Sequence, residues 1–130
     1  MVFRAMKRDA DGFPTVAPSA SALGVRLGVD VDIDAQNQVI VNEKGMSVSP
    51  SWRSLSVFRI PKRLGGQGSN NTHCFKMGAG VFEQAVIAER LELIPDSDVH
   101  GVIRAIQSVP LTQYEVDLGA TRTRWMIEET

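Results

Sequence analysis

The chain carries one cysteine, Cys74, and two histidines, His73 and His100. A lone cysteine cannot close an intrachain disulfide, so nothing argues for an oxidising compartment. His73 and Cys74 are adjacent and would point to opposite faces of a strand, and no other ligand cluster has metal-site spacing. There is no basic excess either: 14 Lys and Arg stand against 15 Asp and Glu, a net charge of −1. Nucleic-acid affinity comes mostly from neutralised phosphates, so a general nucleic-acid-binding role is disfavoured. Lys62 and Arg63, near Arg53 and Arg59, are the local exception. No apolar run approaches the roughly 18–20 residues of a membrane helix. The start, Met1 to Arg8, lacks the apolar stretch of a signal peptide. The expectation is a cytoplasmic chain with no membrane or metal partner.

What is present reads as an ordinary globular domain. The 130 residues are 43% hydrophobic and 22% charged, which fits one domain over 1–130. A domain of this size buries roughly two-thirds of its unfolded surface and needs no metal or disulfide. Val2–Met6 reads as a strand interrupted by Arg4, and Asp9–Pro14 as a tight turn. Ser19 or Ser21 is placed to cap a turn of helix through Leu23. Val29–Asp34 alternates as a half-buried strand, with a turn at Asn37 and a second strand at Val39–Val41 completing a hairpin. Gly45–Pro50 (GMSVSP) reads as a short strand between breakers, and Ser51–Leu55 as one helical turn capped by Ser49 or Ser51. Val57–Ile60 should run extended into Pro61. Arg63–Thr72 is a polar, Gly-rich loop. Val81–Leu93 has the spacing of a helix through Phe82, Ala85, Val86, Glu89 and Leu93, although Leu91–Ile94 also suits a strand. Val102–Ile106 reads as a strand and Thr112–Ala120 as a helix. Thr121–Glu128 alternates as a last strand, with Thr121, Thr123, Trp125 and Ile127 on one face. The sum is α+β with short strands.

Few residues carry chemistry by pattern alone. Cys74, or a serine acting with His100, has no G-x-S-x-G elbow or similar motif behind it. The glycines at 65, 66 and 68 lack the strand–GxGxxG–helix context of a phosphate loop. Gly78 and Gly80 precede the Val81 segment and fit a plain helix entry. Arg4 is more unusual: a charge inside a short apolar strand either pairs with a carboxylate or reaches into a cleft. Ser47 and Ser49 share one face of their strand, where small hydroxyls are mildly costly unless they bond something.

Read together, these segments form a pattern. Phe3-Arg4-Ala5-Met6-Lys7 precedes Asp11-Gly12; Gly45-Met46-Ser47-Val48 follows, then Tyr114 and Leu118-Gly119-Ala120-Thr121-Arg122. In this order it resembles secreted bacterial toxins of the type VI system with a small ADP-ribosyltransferase-like fold, and their bacterial and fungal relatives. The resemblance implies a compact α+β fold of short strands in a split, mostly antiparallel sheet with few helices. It implies NAD as the cofactor, with Arg4, Gly45, Met46, Ser47 and Thr121 binding it. Arg4, Ser47, Arg122 and a glutamate would carry the chemistry. Met46 stands where Thr is frequent, and Arg122 where His is frequent. No E-x-E strand motif supplies the glutamate; Glu115 falls in the predicted helix, Glu129 lies near the chain end, and Glu128 on the last predicted strand is the remaining choice.

The chemistry suits those residue types. Breaking the nicotinamide–ribose bond develops positive charge on the sugar, which needs preorganised acceptors. The pyrophosphate needs a cation, which Arg4 can supply with bidentate contacts. Arg122 cannot act as a base near neutrality, so its role would be phosphate or substrate binding. The implied function is a toxin that transfers ADP-ribose to a cellular target, protein or RNA, or hydrolyses NAD. The implied partner is a cognate immunity protein or antitoxin, and a secretion system would deliver the toxin into a target cell's cytoplasm. The rival readings are a non-catalytic protein-interaction domain on the same scaffold, favoured by the missing glutamate, and an RNA-modifying transferase, supported by Lys62 and Arg63.

Overall fold

The computed structural model describes residues 1–130. Seven strands and one helix follow one another as β1 Val2–Lys7, β2 Met46–Val48, β3 Thr72–Met77, β4 Ala85–Ala88, β5 Leu91–Pro95, β6 Gly101–Ala105, α1 Leu111–Gly119 and β7 Trp125–Ile127. Single 3₁₀ turns lie at Trp52–Ser54, Lys62–Leu64 and Arg122–Arg124. The strands form two antiparallel sheets, one in the order β1-β3-β7 and the other β2-β6-β5-β4. The architecture is a sheet-rich α+β fold.

Both sheets contribute to one apolar core. Val2, Met6, Phe75, Met77 and Trp125 come from the first sheet, and Met46, Val48, Leu91, Leu93 and Ile103 from the second. Tyr114 and Leu118 of α1 and Leu23, Val25, Val31 and Val39 of the long β1–β2 connection complete it. The outer face of the first sheet is covered separately, by Phe3, Cys74 and Trp52 with Leu55, Ile60 and Leu64 around them. β1 is therefore buried on both faces up to Met6.

The main chains of the two sheets are hydrogen-bonded to each other through one pair of residues. Phe3 N donates to Ser49 O at 2.7 Å and Ser49 N to Phe3 O at 3.0 Å. Continued, this antiparallel register would set Ala5 opposite Ser47, but no further ladder bond forms and the strands part there. The split between the sheets begins at Arg4.

Several expected elements take another form. Val81–Leu93 is not a helix: β4 and β5 make a hairpin with a register shift between Val86 and Ala88. Leu91 and Leu93 are buried while Glu92 and Ile94 are only partly so, a period of two. The helix-forming Ala, Glu and Leu of the segment are overruled by pairing with β6, where Glu92 and Arg104 face each other at 2.9 Å. Ser19–Leu23 makes a turn rather than a helix: the Leu23 amide donates to Thr15 O, Ala22 N to Ser19 O, and Arg4 bonds the Ser19 and Ala22 carbonyls. Val29–Asp34 begins as a turn, with Asp30 folded back onto Arg26; its second half pairs with the next segment only at the Ile33–Val39 bridge, around Asn37 at φ 59°. Val57–Ile60 is a turn whose Arg59 and Ile60 amides both bond Ser56 O. Thr121–Glu128 opens with a 3₁₀ turn before β7. The Gly-rich loop folds onto Ile60 so closely that a Cβ on Gly66 would lie 2.1 Å from the Ile60 carbonyl oxygen. The Trp52–Ser54 turn capped by Ser51, the Gly45–Pro50 strand, the Val102–Ile106 strand and the Thr112–Ala120 helix form essentially where expected.

Gly45 has a steric reason in this frame. A Cβ there would meet Ile103 O at 2.7 Å and Val102 Cβ at 3.0 Å. Gly45→Ala should therefore push β2 off β6 and lower stability by about 1–3 kcal/mol, measured as a reduced urea midpoint with an unchanged m-value.

Candidate functional site

Arg4 lies on the core-facing side of β1, opposite Phe75 of β3. Only 6% of it is exposed. Its guanidinium bonds four main-chain carbonyls: Nε to Ala22 at 3.0 Å, Nη1 to Ser47 at 2.8 Å, and Nη2 to Ser19 at 3.2 Å and Gly24 at 3.4 Å. No carboxylate bonds it directly. Burial lowers its pKa to about 10; Asp30 works against that shift, while Arg59 and Arg26 add to it. At neutral pH it therefore remains a cation.

The cleft beside it, about 200 Å³, is lined by Arg4, Ser47, Ser49, Arg59 and His100 among others, with Arg26 and Asp30 at one side. Ser49 is 4% exposed. Neither serine hydroxyl bonds another protein group, and both belong to the cleft wall. Arg26 is bidentate with Asp30, at 3.0 and 3.2 Å. Burial pushes the Asp30 carboxyl up, but the Arg26 side-chain and main-chain hydrogen bonds outweigh it and hold the group below its ordinary value. Asp30 is the one carboxylate in the wall. Three guanidiniums against one carboxylate make the cleft cationic, in a chain whose net charge is −1.

Of the residues expected to form a site, the structure brings Arg4 and Ser47 together and leaves the others outside the cleft wall. Gly45 permits the approach of β2 to β6. Met46 is buried in the core, and its amide donates to the Tyr114 hydroxyl at 3.3 Å. That hydroxyl in turn donates to Ile103 O at 2.5 Å. Thr121 is buried behind α1, donating to Leu118 O and accepting from Trp125 Nε1. Arg122 clamps the Asp9–Pro14 turn: it is bidentate with Asp11 at 2.7 Å, reaches Asp9 at 3.0 Å, and donates to Pro14 O at 2.9 Å. With these partners it has little capacity left for a phosphate. Glu128 sits just past β7 and accepts from the Thr130 hydroxyl, which lowers its pKa. β7 is separated from the split by β3 and β1, so neither Glu128 nor Glu129 reaches the cleft.

Other sequence candidates are also accounted for. The Cys74 thiol is buried and pushed up to about 11, first by burial and then by Glu129, so it stays protonated near neutrality. Arg63 is bidentate with Glu129 at 2.7 and 2.8 Å and so withdrawn from the basic loop. No group of three or more His, Cys, Asp and Glu is arranged to hold a metal, and no helix is long and apolar enough to cross a membrane.

Arg26 and Asp30 are site residues that the sequence did not single out, and Arg59 stood out only as part of a local basic cluster. The i, i+4 spacing of Arg26 and Asp30 was the available signal for that pair. For Arg59 the basic cluster carried no hint of a cleft, because only the turn at Ser56 directs it there. Comparisons with models of known families, with characterised proteins and with solved structures find no match to this chain.

Two outcomes follow from these contacts. Arg4→Met leaves four inward carbonyls without their donor and should abolish cooperative folding, whereas Arg4→Lys should fold with a stability loss of about 3 kcal/mol or more, read by chemical denaturation. Arg63 hydrogen bonds outweigh burial and hold Glu129 below its ordinary value of 4.5. A depressed folded-state pKa contributes stability above the unfolded value that is lost as pH falls through the folded one. Wild type should thus lose stability as pH drops below about 4.5, and Arg63→Ala should flatten that slope in a series of thermal melts.

Proposed function

We propose that the chain is a toxin-type domain on an ADP-ribosyltransferase-like scaffold, binding NAD in the cleft where the sheets part and transferring ADP-ribose to a target or hydrolysing NAD. The observation that carries this reading is that Arg4 and Ser47, some forty residues apart in sequence, line one cleft and are joined by a hydrogen bond. The residues suit the ligand. A buried guanidinium with only carbonyl partners, beside the unpaired Arg59, leaves positive charge for an anion to neutralise. Arg59 and Arg26 would hold the pyrophosphate, and the Ser47 and Ser49 hydroxyls would bond ribose oxygens. The volume of about 200 Å³ suits one end of a dinucleotide, with the remainder lying along the open side.

NAD would be a consumed substrate, its positively charged nicotinamide the leaving group. A partner that neutralises the toxin would cover the cleft with acidic groups, complementary to Arg59 and Arg26. Action in a recipient cell's cytoplasm after delivery by a secretion system belongs to the same reading. A second reading, a non-catalytic interaction domain, is favoured by one observation: the only carboxylate in the cleft wall is tied to Arg26. Beside the wall residue Arg59, Phe58 is 70% exposed and offers such a domain a contact.

Expression in bacteria and assay with NAD separate the two. Wild type should arrest growth and release nicotinamide. Arg59→Glu, on an exposed side chain without a protein partner, should fold normally yet weaken NAD binding at least about tenfold, or about 1.4 kcal/mol. A wild-type protein that neither binds nor consumes NAD would leave the interaction-domain reading in its place.

A further inference from the structure

Transfer or hydrolysis needs an acceptor for the proton of the attacking group, and no free carboxylate in the cleft supplies one. The β2–β6 ladder points to another group. It pairs Ser47 with Val102 and Val48 with Gly101. One step further in the same antiparallel register sets Ser49 opposite His100. By the two-residue alternation of strands, Ser47, Ser49 and His100 project on one side, away from the core-facing Met46 and Val48. All three line the cleft.

His100 is held from behind. It ends the loop between β5 and β6, which is closed by the Asp96 and Ser97 amides bonding the His100 carbonyl at 3.0 and 3.1 Å. Its Nδ1 lies 2.8 Å from both oxygens of Asp96. An ionised carboxylate only accepts, so Nδ1 carries the hydrogen and the neutral ring keeps its lone pair on Nε2. The side chain is 41% exposed, open to both solvent and the cleft. The charged groups around it are Asp96 and Asp98 from its own loop and, from the cleft wall, Arg4, Arg26, Asp30 and Arg59.

We infer that His100, oriented by Asp96, is the general base of this cleft and takes the proton of the water that attacks NAD. This rests on the NAD reading above. The water oxygen bonds the anomeric carbon of the nicotinamide-bearing ribose. The bond from that carbon to the nicotinamide nitrogen breaks, and its electron pair leaves with the ring, cancelling the ring's positive charge. The water proton passes to Nε2 and then to solvent. The products are ADP-ribose and nicotinamide, and nothing is oxidised or reduced. Asp96 acts through the imidazole as a positioning residue, fixing its tautomer and stabilising the imidazolium as it forms.

The test uses the full chain with NAD as the probe. His100→Gln should bind NAD within about threefold of wild type in calorimetry, while nicotinamide release falls about 100-fold or more. Free imidazole should restore part of the lost rate to His100→Ala. In ¹⁵N NMR of the free protein, wild type should show hydrogen on Nδ1, and Asp96→Asn should lose that preference. Three results would overturn the inference. If His100→Gln binds NAD and releases nicotinamide at the wild-type rate, the base assignment falls and the NAD reading stands. If hydrogen sits on Nε2 in the wild type, the orienting role of Asp96 falls without reference to activity. If wild type binds no NAD, the NAD reading fails and the base fails with it.

Discussion

The structure depends on a guanidinium placed where two sheets come apart. β1 and β2 are joined at Phe3 and Ser49, and one residue later Arg4 stands in the gap with its donors on Ser19, Ala22, Gly24 and Ser47. Burying a charge costs several kcal/mol unless its donors are satisfied. Four carbonyls satisfy most of them, and in doing so fix the 19–24 turn and the parting edge of β2. Carbonyls neutralise hydrogen-bonding demand but not charge. The same contacts that hold the split together leave it positive.

Four of the arginines outside the cleft show why the net charge of the chain hides this. Arg63 is paired with Glu129, Arg90 with Asp117, Arg104 with Glu92, and Arg122 with Asp9 and Asp11. Arg104 and Glu92 tie neighbouring strands, and each of the others fastens a turn or a chain end to another element. Acidic residues are consumed at these sites, so an almost neutral sequence produces a cationic cleft. Position rather than composition makes the field, since a charge matters most where low-dielectric walls surround it.

Legibility in the sequence followed the range of the interactions. The strand around Arg4, the GMSVSP strand, the Ser51-capped turn and α1 were readable because their signals are local: alternation, breakers and caps. The β4–β5 hairpin was not, because Phe82, Ala85, Val86, Glu89 and Leu93 fit a helical stripe and only pairing with β6 imposes the extended form. The Ser19–Leu23 segment was misread for a related reason, its Leu23 amide being bonded to Thr15 and its carbonyls shared with Arg4 from another element. Among the site residues, Arg4 stood out as a charge in an apolar strand and Ser47 as a hydroxyl on a core-type strand. Arg122 and Glu128 entered only through the resemblance, and the fold directs them to Asp11 and to Thr130.

The sequence by itself determined which short segments would be strands or turns, that one apolar core could form, and that Arg4 and Ser47 were out of place in apolar strands. Only the tertiary structure decided that these two share a cleft, that Arg26, Asp30, Arg59 and His100 surround it, and that Thr121, Arg122 and Glu128 lie elsewhere. The reason is physical. Side-chain alternation is set by neighbours one and two residues away, whereas the sheet split arises from pairings between residues far apart in the chain, and only folding brings those together.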